Sequence, residues 1–310
     1  MTSVVDPGAW WSRLFDFTDY GALLPLVHNS LIAGALLGLV GGLVGVFVMQ
    51  RDLAFAVHGV SELSFAGASA ALLFSVDVVL GSVLGSLLAA VLIGLLGARA
   101  RDRNSIIGVL MPFGLGLGVL CLALYPGRAA NKFGLLTGQI VAVDTTRVSA
   151  MAVITLVVVG GLLLVWRPLT FASVDPEVAA ARGVPTRTLS MVFMVLLGLA
   201  VAMAVQIVGA LLVLSLLITP AAAATQISAS PRLVPLLSVL FAEVAALGGI
   251  LLALGASVPI SPYITTISFL IWVVCRYVGS RRTRRGWSRR AAAADEVDGA
   301  GHAPVATPLG

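Results

Sequence analysis

Three ionisable side chains stand inside otherwise uncharged apolar runs: His58, Glu62 and Glu243. A charged group at the centre of a hydrocarbon layer costs roughly 3 kcal/mol, so such positions mark function by default. His58 and Glu62 are four residues apart, which puts both on one face of a helix. A neutral imidazole and a carboxylate are competent ligands for zinc, manganese or iron. The same two groups would equally serve as a polar pair bonded to a neighbouring helix, or as a simple His–Glu ion pair. Glu243 has no partner near it in sequence. Two roles fit it: neutralising a cation path, or sitting protonated against an adjacent helix. His28 begins an apolar run, an interfacial place, and His302 lies in the C-terminal tail. Cys121 and Cys275 both fall in apolar runs, which suggests neither a disulfide framework nor a thiolate metal site.

The elements that carry these residues are set by the solvent. Apolar residues make up 59% of the 310 positions and charged residues 11%, with a mean hydropathy of +1.06. A soluble domain carries about 25% charged residues, so a chain this poor in charge cannot cover its surface in water. A crossing helix needs about 20 apolar residues. Runs of that size occupy 25–49, 53–74, 78–98, 104–125, 148–166, 233–255 and 260–278. Residues 188–231 carry no charge at all and would form a helix of about 66 Å, enough for two crossings. The break falls at Gln206–Gly209, dividing the run into spans near 188–206 and 207–226. The expected fold is an all-α polytopic membrane protein of about nine transmembrane helices, over residues 25–278.

An odd count puts the termini on opposite sides. With the C-terminus in the cytoplasm, 15 of the 19 Lys and Arg residues fall inside, leaving Arg13, Arg128, Lys132 and Arg147 outside. The positive-inside rule asks for that asymmetry. The net charge of +5 is therefore distributed for a lipid bilayer rather than for nucleic acid. Residues 1–24 form an extracytoplasmic segment whose acids, Asp6, Asp16 and Asp19, do not fit the basic start of a cleaved leader. Glycines recur every four residues at Gly34, Gly38 and Gly42 and again at Gly81 and Gly85, the spacing of close helix packing in lipid. Gly114, Gly116 and Gly118 lie within a span and match no phosphate loop, and the chain has no G-x-x-x-x-G-K-[ST] motif. If ATP powers this protein, another polypeptide binds it.

The longest cytoplasmic connection, 167–187, contains a helix-start signature. Asp175 caps, Pro176 occupies the first helical position, and Glu177 places an acid in the first turn. Arg182 and Gly183 close it and Pro185 follows, so a helix of about seven residues is expected at the membrane surface. A helix there suits docking of a partner. The outer connection 126–147 is apolar but broken by glycine, as in a short interfacial helix. Residues 279–290 are basic and suit anionic headgroups, and the remainder to 310 reads as a disordered cytoplasmic tail.

Four segments, in order and spacing, resemble the permease subunits of the zinc/manganese family of ABC transporters. They are MQRDLAFAVHGVSELSFAGASAALL (49–73), which resembles the family's arginine, aromatic and D-x-x-x-H pattern, and Asn104-Ser-Ile-Ile-Gly through LLTGQIVAVD (135–144). The Asp175–Gly183 helix with QIVGALLVLSLLITPAAAA (206–224), and Pro259-Ile-Ser-Pro262 before the last helix, complete the set. The resemblance implies a homodimeric pore, two cytoplasmic ATP-binding subunits, and an extracellular metal-binding protein that delivers zinc or manganese. It implies no tightly bound cofactor and a bacterial plasma membrane location. The family's Asp and His, which contact the metal, match His58 and Glu62 here, one imidazole and one carboxylate in swapped order. The family's acid in G-[DS] is Gln139, so no charged role carries over. The 175–183 helix would be the element that couples to the ATPase.

Two other readings compete. A permease for siderophores or vitamins would make His58 and Glu62 gating or packing groups. A secondary cation transporter would use Glu62 and Glu243 as ion sites and predicts an inverted repeat of broken helices, which the sequence does not display. An enzyme is disfavoured, since no nucleophile, complete metal site or cofactor loop is legible.

Overall fold

The computed structural model describes residues 27–97, 100–127, 134–135, 143–254 and 259–300. The expected N-terminal segment, most of the 126–147 connection with Gln139, and the last ten residues lie outside them. The chain runs α1 (His28–Gln50), α2 (Ala54–Leu73), α3 (Val78–Leu96), α4 (Ala100–Leu124), α5 (Thr145–Val174), α6 (Pro176–Ala181) and α7 (Thr186–Val208). A single 3-10 turn (Ala210–Leu212) then leads into α8 (Val213–Leu217), α9 (Thr219–Ile227), α10 (Leu233–Ala253) and α11 (Ser261–Ala300). Among the described residues there is no strand.

Among the described residues, eight helices are long and apolar enough to cross a membrane: α1 to α5, α7, α10 and α11. Backbone groups in hydrocarbon have no water to bond, and a helix satisfies them within its own segment. The ninth apolar stretch is present but is not one helix. It is divided into the 3-10 turn, α8 and α9, with Ile218 between the last two. The break before it falls where the sequence places it. Gly209 ends α7 with φ 84° and ψ 156°, a conformation essentially reserved for glycine. The hydroxyl of Ser261 donates to the freed carbonyl of Val208 at 2.8 Å, tying the start of α11 to the end of α7.

Helices α1, α2 and α7 form the interior, while α3, α4, α5, α10 and α11 turn apolar side chains such as Leu84, Phe113, Leu164, Leu236 and Phe269 outward. Burying apolar groups against each other gains little when lipid is the alternative, so close approach and dispersion hold the bundle. The glycine stripes serve that approach. A Cβ on Gly42 would run into the Val239 backbone of α10, and one on Gly45 into the carbonyl oxygen of Leu217 on α8. Gly67 of α2 and Gly81 of α3 stand backbone to backbone in the same way.

In two places the helices run further than the apolar runs alone suggest. The 167–187 connection is shorter than the charge pattern suggests, because α5 continues through Pro168 to Val174. Proline removes one backbone donor without ending the helix, and hydroxyls beyond it bond back within the helix: Thr170 donates to the Trp166 carbonyl at 2.8 Å and Ser173 to the Leu169 carbonyl at 2.6 Å. Similarly, α11 does not stop near residue 278 but runs on to Ala300, into the stretch whose composition reads as disordered. Ala291 to Ala294 are the strongest helix formers available, and they lie within an extension that also carries Gly279, Gly286 and Gly299.

Replacing Gly209 by alanine should force an L residue into this conformation at a cost of about 1–3 kcal/mol. The expected outcome is a lower thermal midpoint of the detergent-purified protein, followed by intrinsic tryptophan fluorescence.

Candidate functional site

The second helix begins at a tight elbow. Asp52 adopts a positive φ of 52°, and the Leu53 amide bonds back to Val48 at 2.9 Å, so α2 leaves α1 within three residues. From that start the helix carries His58 and Glu62 to one face. Their approach is direct: His58 Nε2 lies 3.7 Å from Glu62 Oε1. The carboxylate is almost wholly buried, its side chain 4% exposed, while the imidazole is 28% exposed. Among the described residues, neither His58 Nδ1 nor Glu62 Oε2 has a hydrogen-bond partner. Buried polar atoms are nearly always paired, so two orphans on adjacent side chains are a feature that packing does not explain.

Glycine on a neighbouring helix makes the enclosure possible. A Cβ at Gly114 of α4 would come within 3.0 Å of the Glu62 carbonyl carbon. Serines complete the surroundings. Ser61 donates to the His58 carbonyl at 2.8 Å and lies 3.4 Å from the Ala210 carbonyl, in the broken segment after α7. One turn on, the Ser64 and Ser82 hydroxyls meet at 2.8 Å, and Ser82 reaches the Ala202 carbonyl of α7 at 3.4 Å. Sequence reading passed over these serines. Their signal was present, as small hydroxyls at Ser61, Ser64 and Ser69 along an apolar helix.

Geometry decides what the pair can do. Two N or O ligands on one transition-metal ion, each at about 2.1 Å, lie no more than about 4.2 Å apart. The 3.7 Å between Nε2 and Oε1 fits within that limit, whereas it is too long for a hydrogen bond. Two ligands alone make a weak site. Among the described residues, no three of His, Cys, Asp and Glu come together as a metal cluster. Glu243 therefore does not join the pair. It sits on α10 with its carboxylate pressed against Gly38 of α1, where an added Cβ would come within 2.9 Å of it.

The surface helix is built as its sequence predicts. Asp175 Oδ1 accepts from the Val178 amide at 3.0 Å, with Pro176 at the first helical position and Glu177 in the first turn. At the other end Arg182 is the C-cap and Gly183 takes φ 80°. The Gly183 amide bonds Ala180 and the Val184 amide bonds Ala179, both at 3.0 Å, in the paired pattern that closes helices with a left-handed residue. Asp175, Glu177 and Arg182 are exposed, and Ala179 is buried against the bundle.

A family model described as the ABC 3 transport family matches residues 24–279. The chain belongs to that family. Among curated relatives, it is 28% identical over 240 residues to a manganese transport system membrane protein, MntC, of Halalkalibacterium halodurans, covering 77% of this chain and 82% of that one. It is 23% identical over 260 residues to the high-affinity zinc uptake system membrane protein ZnuB of Haemophilus influenzae, covering 84% of this chain and all of the relative. Among solved structures, PsaBC from Streptococcus pneumoniae in complex with Fab superposes with a TM-score of 0.75 at 25% identity, over 84% of this chain and 95% of that one. The bundle, which among the described residues has eight long apolar helices and a broken ninth segment, is thus an ABC 3 permease fold.

Removing the cap of the surface helix tests its construction. Asp175→Ala should cost the helix about 1 kcal/mol. Amide hydrogen exchange in residues 176–181 should accelerate accordingly, with exchange in α7 unchanged.

Proposed function

We propose that this chain is the permease subunit of an ABC importer for a divalent metal ion, zinc or manganese. One observation carries the reading: a buried carboxylate beside a partly exposed imidazole, each with one orphaned polar atom, at ion-binding separation, inside a chain of the ABC 3 family. The names of the relatives point to the same cargo, manganese for one and zinc for the other.

The protein works as a homodimer in the bacterial plasma membrane, N-terminus outside and C-terminus in the cytoplasm. His58 and Glu62 from each copy supply two nitrogen and two oxygen donors to the ion in passage. Their contact is transient, since an ion held too tightly in a pore cannot leave it. An extracellular metal-binding protein delivers the ion, and two cytoplasmic ATP-binding subunits power the cycle. Asp175, Pro176, Glu177, Arg182 and Gly183 form the docking helix through which ATP binding and hydrolysis alternate access to the site. Glu243 is an interhelical packing acid between α10 and α1 rather than a ligand of the path.

In a strain lacking its own importer, the double variant His58→Ala, Glu62→Ala should reduce uptake of radioactive manganese and zinc to background. Glu62→Gln alone keeps the shape and loses the charge, and should cost about 10–100-fold, as disturbed metal sites commonly do. Western blotting of membrane fractions should show unchanged insertion. Normal metal uptake by the double variant would sink the site assignment.

A further inference from the structure

The arginine that opens the second segment has no place in the reading above, although its surroundings are specific. Arg51 caps the end of α1, seven residues before His58. Its Nη2 donates to the Ser190 hydroxyl at 2.6 Å, near the start of α7, and Nη1 reaches the Ser173 hydroxyl at 3.5 Å, near the end of α5. Those two serines flank the surface helix α6, Ser173 lying just before Asp175 and Ser190 just after Arg187. Ser173 spends its own proton on the Leu169 carbonyl, so its oxygen is turned to the guanidinium as an acceptor.

Aromatic packing holds the same three helix ends. The guanidinium carbon lies 5.8 Å from the centre of the Phe193 ring. Phe193 of α7 is 5.9 Å from Phe47 of α1, and Phe47 meets Trp166 of α5 edge to face at 4.9 Å. Phe47 and Phe193 are fully buried. On the other side of Arg51 is the elbow into α2, where Asp52 takes a positive φ and Leu53 is buried. A displacement of α6 relative to the bundle therefore reaches Arg51 through both serines, and Arg51 reaches His58 through a short, tightly folded connection.

We infer that Arg51 is the positioning residue that couples the surface helix to the His58–Glu62 helix. Its planar fork reaches two hydroxyls on different helices from two separate nitrogens, Nη1 and Nη2, whereas the ammonium of lysine offers its donors from a single nitrogen on a flexible stem. Arg51 touches neither the ion nor the partner; it transmits movement between them. This inference rests on the importer reading given above.

The test uses the complete transporter, with its ATP-binding subunits, in proteoliposomes, and measures ATP hydrolysis and manganese uptake in the same preparation. For Arg51→Ala, hydrolysis should stay close to that of the unaltered complex while ions moved per ATP fall about tenfold, the size of a lost coupling contact. Arg51→Lys should fall between the two. The pair Ser173→Ala, Ser190→Ala removes only two hydroxyls, spares folding, and should reproduce the uncoupling. Three results overturn the inference alone: an unchanged ratio in the serine pair, hydrolysis and uptake falling in proportion, or full rescue by lysine. Absence of both manganese and zinc uptake by the unaltered complex overturns the importer reading and the inference with it.

Discussion

Hydrocarbon offers a protein no hydrogen bonds, and most of this structure answers that constraint. Each long helix closes its own backbone ladder, and polar side chains within the bundle mostly bond to carbonyls nearby. Ser238 turns to the Gly42 carbonyl at 2.7 Å, Ser86 to Val83 at 2.9 Å, and Thr265 to Ser261 at 2.8 Å. Among the described residues, Ser69 Oγ, Arg103 Nε and Ser268 Oγ also lack a partner, but only His58 and Glu62 bring two such atoms together on facing side chains. The same two groups in water would carry no information. In a bundle this poor in water they are the basis of the proposed ion contact, because their spacing lies within the reach of two ligands on one cation.

The break after α7 is the second place where the helical rule is relaxed. A continuous helix would bury every carbonyl of residues 205–218 in its own ladder. Glycine at 209 ends the ladder instead, and carbonyls of the freed segment turn to Ser261 and Ser61. Irregular backbone at this depth is tolerated where protein surrounds it. Its neighbour is the helix that carries His58 and Glu62, since Ser61 lies between them in sequence and its hydroxyl reaches the Ala210 carbonyl at 3.4 Å. The break thus adds oxygen atoms and adaptability to the wall nearest the candidate path, without adding charge.

At one end of the bundle, three helix termini meet around Arg51, and between two of them hangs α6. Its caps make it a rigid unit of only six residues, and its buried Ala179 seats it on the bundle. A short rigid helix with exposed acids and an arginine is well made to receive force from a partner. The contacts of Arg51 with Ser173 and Ser190 tie the helix ends on either side of it to the end of α1.

Much of this was legible in local sequence. Apolar run lengths announce the spans, glycine spacing announces the packing faces, and Asp175, Pro176 and Gly183 announce a capped helix, because each of these depends on neighbours within one or two turns. Gly209 as a break belongs with them. The pairing of His58 with Glu62 follows from helical periodicity alone. What sequence could not supply depends on distant partners. Ser61 bonds across 149 residues, and Arg51 across 122 and 139 to its two serines. The division of 207–226 into short pieces was hidden for a related reason: its residues are as apolar as those of a continuous span, and only packing against α2 and α11 makes the broken form the stable one. Sequence by itself determined the solvent, the number of apolar segments and the residues able to hold an ion. Only the tertiary structure decided that the Glu62 carboxylate is buried with an oxygen unpartnered, that Glu243 packs against Gly38 away from it, and that Arg51 bonds serines on two other helices, because burial and long-range contact are properties of the assembled bundle.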